Sequence, residues 1–216
     1  MNTKKIGEDL HGHVPANWYF ESINKDPLQK FWHKTRFREV RRVTTEANSV
    51  LDVGCADGVF SNVIFKATRA NKFIGLDVVK TSILWAKKHW ANNKKMKFLV
   101  GDAHHLPFKS NSFDAVFCLE ALEHVADPIQ VFKEFKRVMK RQGYGVFLVP
   151  SDNDLFKVVW WLWLHFYPRG WVWRETHIQT YRNNYLVKIV KKAGFKIEVN
   201  KKFNLGMLHL VKVRKV

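Results

Sequence analysis

Short apolar runs alternate with helical periodicity between residues 49 and 150. Five of these runs predict strands, at residues 49–53, 72–77, 96–101, 113–118 and 143–149. Apolar residues at helical spacing separate them, at residues 58–68, at 81–90 and again from Pro128 onward. This alternation predicts βαβ units, a parallel sheet and right-handed crossovers. In such sheets ligands bind at the carboxyl ends of the strands, where we expect the functional site.

The chain before this region, residues 1–47, is expected to be an arm and a helix that belong to the same domain as residues 48–216. Residues 1–25 are weakly patterned and suit a lid or a loose arm. Proline is favoured in the first turn of a helix, and from Pro27 apolar residues recur at near-helical spacing among several arginines. We expect this basic amphipathic helix to pack against the sheet, and covering of the active site is the alternative.

After the fifth strand the pattern changes before it resumes. Residues 181–192 predict a helix that ends at Gly194, since glycine is common just after the last helical turn. Residues 195–203 and 207–213 then predict two strands, joined by a hairpin turn at residues 204–206.

The intervening segment, residues 151–176, is the most aromatic stretch of the chain and holds five of its nine tryptophans. Lys157, Arg169 and Arg174 flank its apolar and aromatic stretches. One interpretation is a helix buried against the sheet or in a dimer face. The other is docking on a bilayer, because tryptophan and tyrosine favour the membrane interface and basic neighbours favour anionic head groups. Its longest uncharged apolar run, residues 158–168, is shorter than the roughly 18–20 residues of a membrane span.

The formal net charge of +18 suggests attraction to anionic partners. Residues 66–97 and 186–216 carry most of it, with nine basic residues against one acidic residue in each. In an α/β domain these segments should fall on different helices and on opposite halves of the sheet. That placement favours a solvated basic surface first, a lipid surface second and nucleic acid third.

The two cysteines, Cys55 and Cys118, suggest neither a disulfide framework nor a zinc site. Their scarcity fits a reduced, cytoplasmic compartment, with attachment to the cytoplasmic face of a membrane as the alternative. The first 18 residues lack the apolar core of a signal peptide.

The turn after the first strand carries the most chemical information. Its two glycines, Gly54 and Gly58, can adopt positive φ and let a ligand approach the backbone, while the following helix points free N–H groups at that ligand. Asp77 ends the second strand and is positioned to accept hydrogen bonds from both hydroxyls of a ribose. Asp102 ends the third strand, where it can accept from an adenine amine. Each acid alone could be a helix cap, but together they favour a nucleoside ligand.

These motifs resemble class I S-adenosylmethionine-dependent methyltransferases, in particular the small-molecule group that includes ubiquinone-biosynthesis enzymes. The matching stretches are VLDVGCADG at 50–58, GLD at 75–77, GDAHHLPF at 101–108, SFDAV at 112–116 and LEALEHVADP at 119–128. The resemblance spans about residues 48–150 and resumes at 177–195. Ala56 stands where the family commonly has a third glycine, and alanine is small enough to be tolerated there.

The resemblance implies a three-layer α/β/α sandwich with a Rossmann-like, seven-stranded, mostly parallel sheet and an antiparallel C-terminal hairpin. It also implies S-adenosyl-L-methionine as the cofactor. The cofactor-binding residues that it implies are Asp52, Gly54, Cys55, Ala56, Gly58, Asp77, Val78, Asp102, Ala103, Leu119 and Glu120. Within this set, Asp77 would hold the ribose, Asp102 and Ala103 the adenine, and Leu119 and Glu120 would line the sulfonium.

The methyl group of this cofactor is already electrophilic, so the protein mainly aligns the acceptor and excludes water. A general base is needed only for a protonated acceptor such as an alcohol or a phenol. The candidate bases are His124, His177 and the pair His104 and His105. Glu120, Glu123 and His124 also resemble the divalent-metal site of ubiquinone O-methyltransferases, although relatives without a metal share these letters.

The expected function is therefore methyl transfer to a small, apolar or lipid-linked acceptor, with oxygen as the expected atom. RNA methylation is a rival that the basic charge favours. Against it, the sequence shows no appended RNA-binding module and no Asn-Pro-Pro-aromatic motif after the fourth strand. A non-catalytic scaffold that keeps the cofactor pocket is the other rival, and the intact glycines and acids argue against it.

Overall fold

The computed structural model describes residues 3–167, 170–173 and 176–216. The strands are Ser49–Val53 (β1), Lys72–Asp77 (β2), Met96–Val100 (β3), Phe113–Leu119 (β4), Met139–Pro150 (β5), Phe195–Phe203 (β6) and Leu208–Lys215 (β7). The α-helices of the described residues are Thr3–His11 (α1), Trp18–Lys25 (α2), Pro27–Val43 (α3), Val59–Thr68 (α4), Lys80–His89 (α5), Pro128–Val138 (α6), Asp154–Phe166 (α7) and Tyr185–Lys192 (α8).

One seven-stranded sheet has the order β3-β2-β1-β4-β5-β7-β6. The first five strands run parallel, and β7 pairs antiparallel with both β5 and β6. The predicted Rossmann-like sheet with an antiparallel C-terminal hairpin is therefore confirmed. The two basic segments also lie at opposite edges of the sheet, as predicted, since one includes β3 and the other β6.

The central strand β1 is buried at every position because both faces of the sheet are covered. Successive side chains of a strand point to opposite faces. Leu51 accordingly packs with the apolar residues of α6 and α8, whereas Val50 packs with Val40 of α3, Ile64 of α4 and Ile83 of α5. These two cores give the three layers of the sandwich.

Two element boundaries differ from the sequence prediction. Strand β5 begins at Met139, directly after α6, rather than at residue 143. Helix α8 begins at Tyr185 rather than at residue 181, because Asn183 and Asn184 adopt left-handed conformations with φ of 52° and 60°. Tyr181 is instead a core residue that is only 1% exposed, and its backbone N–H donates to the Asp152 carboxylate.

The chain before β1 is more ordered than a loose arm, since residues 3–25 form two helices. Asp26 caps α3 by accepting from the backbone N–H groups of Leu28 and Gln29, both at 3.0 Å. Helix α3 packs on the sheet through Val40, as predicted. Its preceding turns also bury Arg36, so the helix contributes to the site as well.

The aromatic segment forms α7 and a 3₁₀ turn at Trp171–Trp173. Phe156 is the one buried residue of α7, so this helix is not buried against the sheet. Its inner side borders a cavity instead of the core. Arg169 and Arg174 lie outside the described residues. Among the helices that the structure describes, none has both the length and the apolar character required to cross a membrane.

Candidate cofactor and acceptor sites

The turn after β1 is built around Gly54, whose φ is 77°. Its N–H donates to the Leu76 carbonyl at 2.8 Å, and a Cβ added here would lie 2.3 Å from the Cβ of Ala121. Glycine is therefore required for the loop after β4 to approach this turn. Gly58 has a different role. A Cβ at that position would collide with Trp90 and Phe98, so a residue without a Cβ is needed for the turn to pack against α5 and β3.

Asp77 lies at the end of β2, beside the glycine turn. Its two carboxylate oxygens accept from the backbone N–H groups of Ala56 and Val79, both at 2.8 Å. Burial raises the pKa of this carboxyl, and the backbone hydrogen bonds oppose that shift. Ala56 pays a conformational cost for its contact, since its φ of 44° lies in the left-handed region that favours glycine.

Asp102 lies at the neighbouring strand end, and helix α1 covers it. The Thr3 hydroxyl donates to one of its oxygens at 2.5 Å, and the His104 N–H and ring Nδ1 reach the other at 2.9 and 2.6 Å. The turn after α1 also contacts the aromatic segment, since His13 Nε2 donates to the Val172 carbonyl at 2.7 Å. The N-terminal arm therefore touches both ends of the site.

Between these strand ends and α1 lies the cofactor crevice, a cavity of about 120 Å³. The predicted cofactor-binding residues that line it are Gly54, Ala56, Asp77, Val78, Asp102, Ala103 and Glu120. Asp52, Cys55 and Leu119 line a smaller adjoining cavity, and Gly58 lines neither of the two. The sequence prediction thus divides into two groups, one on the crevice and one behind it.

Asp52 shows what the residues behind the crevice do. It is only 2% exposed and accepts from the Ser61 hydroxyl of α4 at 2.6 Å. Burial raises its pKa to about 7, although the hydrogen bond from Ser61 opposes the shift. The pair joins β1 to α4 and so holds the glycine turn between them. Cys55 is a free, buried thiol whose pKa burial raises well above its ordinary value.

A second cavity, of about 340 Å³, lies next to the crevice and is here called the aromatic cavity. Helices α2, α3 and α7 and the 3₁₀ turn enclose it, and its walls include Trp32, Phe156, Trp160 and Trp163. Five side chains line both cavities: Trp18, Tyr19, Glu120, His124 and Trp173. The two cavities therefore share a wall, and His124 belongs to it.

Glu123, His124 and His177 form a cluster beside this shared wall, with one oxygen or nitrogen atom of each lying within 4.8 Å of the others. His124 Nδ1 donates to the Thr176 carbonyl at 2.7 Å, which leaves Nε2 as an acceptor. The ring of His177 stacks on Trp160 with centroids 4.9 Å apart. The structure thus brings together the two predicted catalytic histidines.

Burial favours the neutral form of all three members of the cluster. Burial raises the pKa of Glu123 to about 8 and lowers that of His177 to about 4. It also lowers the pKa of His124 well below its ordinary value, and the neighbouring His11 and His177 add to this. A neutral imidazole can accept a proton or bind a metal ion.

The predicted metal ligands are arranged differently from the expectation. Glu123 and His124 do lie together, but their third neighbour is His177. The carboxylate of Glu120 is instead paired with the guanidinium of Arg36.

Several buried polar atoms of the aromatic cavity have no hydrogen-bond partner among the described residues. They are Glu123 Oε2, His33 Nε2, Arg36 Nε and Trp163 Nε1. Burial lowers the pKa of Arg36 to about 10, so the guanidinium remains charged at neutral pH. It donates to His33 Nδ1 at 2.7 Å, which makes His33 Nε2 a donor. The cavity therefore combines an apolar wall with unused hydrogen-bonding capacity.

Sequence reasoning did not find Thr3, Tyr19 or Arg36 as site residues. They lie in the N-terminal 47 residues, far along the chain from the strand-end motifs. The one available signal was the arginine-rich, aromatic pattern of α3, which fits packing on the sheet equally well. Of the other histidines considered, His104 lines the crevice on Asp102, and the side chain of His105 is 77% exposed.

Residues 51–147 match the family model described as a methyltransferase domain. Residues 51–147, just under half of the chain, are therefore similar to a methyltransferase domain. Over 103 residues the chain is 38% identical to a sterol 24-C-methyltransferase of Gibberella zeae. The aligned residues make up 45% of this chain and 27% of that protein. Over 140 residues it is 31% identical to a demethylmenaquinone methyltransferase of Staphylococcus aureus. This alignment covers 63% of this chain and 57% of that protein. The chain thus spans only part of the length of these curated relatives.

Similarity in fold to solved structures extends over nearly the whole chain. It is similar to the crystal structure of a SAM-dependent methyltransferase from Thermotoga maritima, with a TM-score of 0.73 and 17% identity over 98% of this chain and 100% of that one. The domain implies S-adenosyl-L-methionine as the cofactor, and the crevice fits that molecule. Gly54 lines it at the turn after β1, and the carboxylates of Asp77 and Asp102 lie at adjacent strand ends.

Proposed function

We propose that this protein transfers the methyl group of S-adenosylmethionine to a small, apolar or lipid-linked acceptor, at oxygen. The observation that carries the proposal is the shared wall between the cofactor crevice and the aromatic cavity. A cofactor in the crevice and an acceptor in the aromatic cavity would meet near His124. Such an arrangement supplies the proximity and alignment that methyl transfer requires.

The lining of the aromatic cavity supports an apolar acceptor. Tryptophans from α2, α3, α7 and the 3₁₀ turn line it, and flat aromatic walls favour ring systems and hydrocarbon chains. The names of the two curated relatives, a sterol and a demethylmenaquinone methyltransferase, are consistent with this class of acceptor.

The cluster of Glu123, His124 and His177 supports oxygen as the methylated atom. When bound, the cofactor supplies a methyl group on a positively charged sulfur. Gly54, Asp77 and Asp102 would hold the cofactor, which would supply the carbon atom that the acceptor oxygen attacks. The hydroxyl proton must leave, and we assign it to this cluster, where His124 Nε2 is an available acceptor.

Incubation with cell extracts tests the proposed function. The protein is mixed with a lipid extract and with an RNA fraction, each containing cofactor labelled on the methyl group. Mass spectrometry should find the label in an apolar small molecule, at oxygen. Label in RNA alone, together with a salt-sensitive gel shift, would favour the RNA rival. Absence of cofactor binding in calorimetry would favour the scaffold.

Replacement of His177 tests the role of the cluster. We expect His177→Ala to lower the yield of labelled product at least tenfold, since general bases contribute about 10²–10⁴ in rate and two cluster members remain. Cofactor affinity should stay unchanged, because His177 does not line the crevice. His105→Ala is the matched control, as this histidine is exposed and lies outside the cluster. Undiminished turnover by His177→Ala would remove His177 from the mechanism.

A further inference from the structure

Two helices expose large apolar side chains on one side of the aromatic cavity. We call this surface the apolar face, and it comprises Leu28, Phe31, Val158, Trp161, Leu162 and Phe166. Phe31 is 70% exposed, Trp161 52% and Phe166 73%. A contiguous exposed patch of this kind marks an interaction site on most soluble domains.

Helix α7 is apolar on both of its sides. Trp160 and Trp163 line the aromatic cavity, whereas Val158, Trp161 and Leu162 are exposed. A helix that is hydrophobic all round is normally buried. The exposed side of α7 therefore has the composition of a surface that something else covers.

The start of α3 belongs to the same face. The Tyr167 hydroxyl, just after α7, donates to the Asp26 carboxylate that caps α3. Leu28 and Phe31 of α3 and Val159 of α7 are exposed and also line the aromatic cavity. The cavity thus opens within the apolar face.

The charges around the apolar face identify what covers it. Lys30 and Lys34 are exposed in the same turns of α3 as Phe31, and Lys157 is exposed on α7. The one acid of α7, Asp154, is neutralised by an ion pair with Arg182. Apolar and tryptophan side chains surrounded by lysines match a bilayer interface with anionic head groups. The net charge of +18 acts in the same direction.

We propose that the apolar face docks on an anionic phospholipid bilayer. Trp161 and Phe166 would enter the head-group region, and the lysines would contact phosphates. A lipid-linked acceptor would then pass from the bilayer into the aromatic cavity between α3 and α7. Only this last step rests on the proposed function.

Vesicle co-sedimentation tests the docking surface. The protein is mixed with vesicles of phosphatidylcholine containing about one third phosphatidylglycerol, and with phosphatidylcholine alone, in low salt. We expect binding to the anionic vesicles and at least a tenfold weaker partition for the double variant Phe31→Glu/Trp161→Glu. The matched control is Leu84→Glu, because Leu84 is 55% exposed on α5, away from the apolar face. Its partition should equal that of the wild type.

The charged rim is tested separately with Lys30→Glu/Lys34→Glu. Each basic side chain near an anionic surface is worth about 1 kcal/mol, so each should account for roughly a fivefold change in the vesicle partition coefficient. Raising the salt concentration should lower the partition coefficient of the wild type toward that of this variant.

Two results would overturn the proposal. One is the absence of binding to anionic vesicles in low salt. The other is a dimer in light scattering that Phe31→Glu/Trp161→Glu abolishes without any vesicle binding, which would assign the face to a second copy of the chain. Neither measurement depends on turnover. Calorimetry with the cofactor on the same double variant therefore separates a failure of docking from a failure of the proposed function.

Discussion

The two cavities of the site are lined by different kinds of chemical groups. Backbone groups and short side chains at strand ends form the cofactor crevice, where Asp77 has both oxygens occupied by N–H groups of neighbouring loops. Side chains from α2, α3 and α7 form the aromatic cavity, where Glu123, Arg36 and Trp163 each have a buried polar atom with no partner in the described part of the chain. Among the described residues, the carboxylate oxygens of Asp77 in the crevice have hydrogen-bond partners, whereas several polar atoms of the aromatic cavity have none.

This difference shows where each site obtains its specificity. Unpaired buried polar groups cost about 1–3 kcal/mol each, so the aromatic cavity gains most from an acceptor that supplies the missing partners. The crevice can rely on preformed geometry, because its carboxylates are already held in place. The crevice therefore suits a single class of ligand, whereas the aromatic cavity would select an acceptor whose polar groups match its unpaired atoms.

The largest expected effect is on the crevice. Asp77→Asn should weaken cofactor binding about 100-fold, since hydrogen bonds to a charged group contribute about 1.5–3 kcal/mol each and two are expected to the ribose. Isothermal titration calorimetry measures the change. Asp114→Asn is the control, because this acid bonds to Ser49 and Lys140 at the opposite end of the sheet. Equal affinity of Asp77→Asn and the wild type would show that the crevice is not the nucleoside site.

The next effect concerns the aromatic cavity and pH. Burial raises the pKa of Glu123 to about 8, above its unfolded value near 4.5, so the folded state keeps a proton that the unfolded state releases. The stability that this group contributes is complete below pH 4.5 and is lost as the pH rises to 8. Relative to Glu123→Gln, the wild type should therefore lose about 2–4 kcal/mol of unfolding free energy between pH 5 and pH 8.

Urea denaturation at several pH values measures this difference. Glu134→Gln is the control, because hydrogen bonds from Arg137 lower the pKa of Glu134 and its contribution is constant above pH 5. A constant difference between Glu123→Gln and the wild type over the whole range would mean that Glu123 is ionised in the folded state.

The smallest effect concerns the glycine turn itself. Ala56 adopts a φ of 44°, and glycine would remove the strain of its Cβ. We expect Ala56→Gly to raise the free energy of unfolding by about 0.5–1 kcal/mol. Ala67→Gly, within the regular helix α4, should lower it by about 1 kcal/mol instead. A loss of stability at both positions would show that the turn is not strained.

The two cavities also differ in how far the sequence predicts them. The crevice follows from local order, because Gly54, Asp77 and Asp102 end or follow consecutive strands whose pairing brings them together. The aromatic cavity depends on contacts between residues that are far apart in the chain, such as Tyr19, Arg36 and Trp173. Periodicity indicates that α3 and α7 have apolar faces, but not which side of each meets the other.

The same limit explains the remaining differences. Helix α8 starts four residues later than predicted because two consecutive asparagines take left-handed conformations, which sequence periodicity does not register. The pairing of Glu120 with Arg36, rather than with Glu123 and His124, depends on how α3 docks on the loop after β4. Such docking is a property of the assembled layers.

The hydrogen bond between Thr3 and Asp102 has a kinetic consequence. A nucleoside amine that takes the place of the threonine hydroxyl on that carboxylate oxygen would unwind the first turn of α1. The ends of helices fray readily, which makes this opening frequent and brief. The same event would accompany departure of the spent nucleoside, so the leading nine-residue helix would slow the exchange of both molecules.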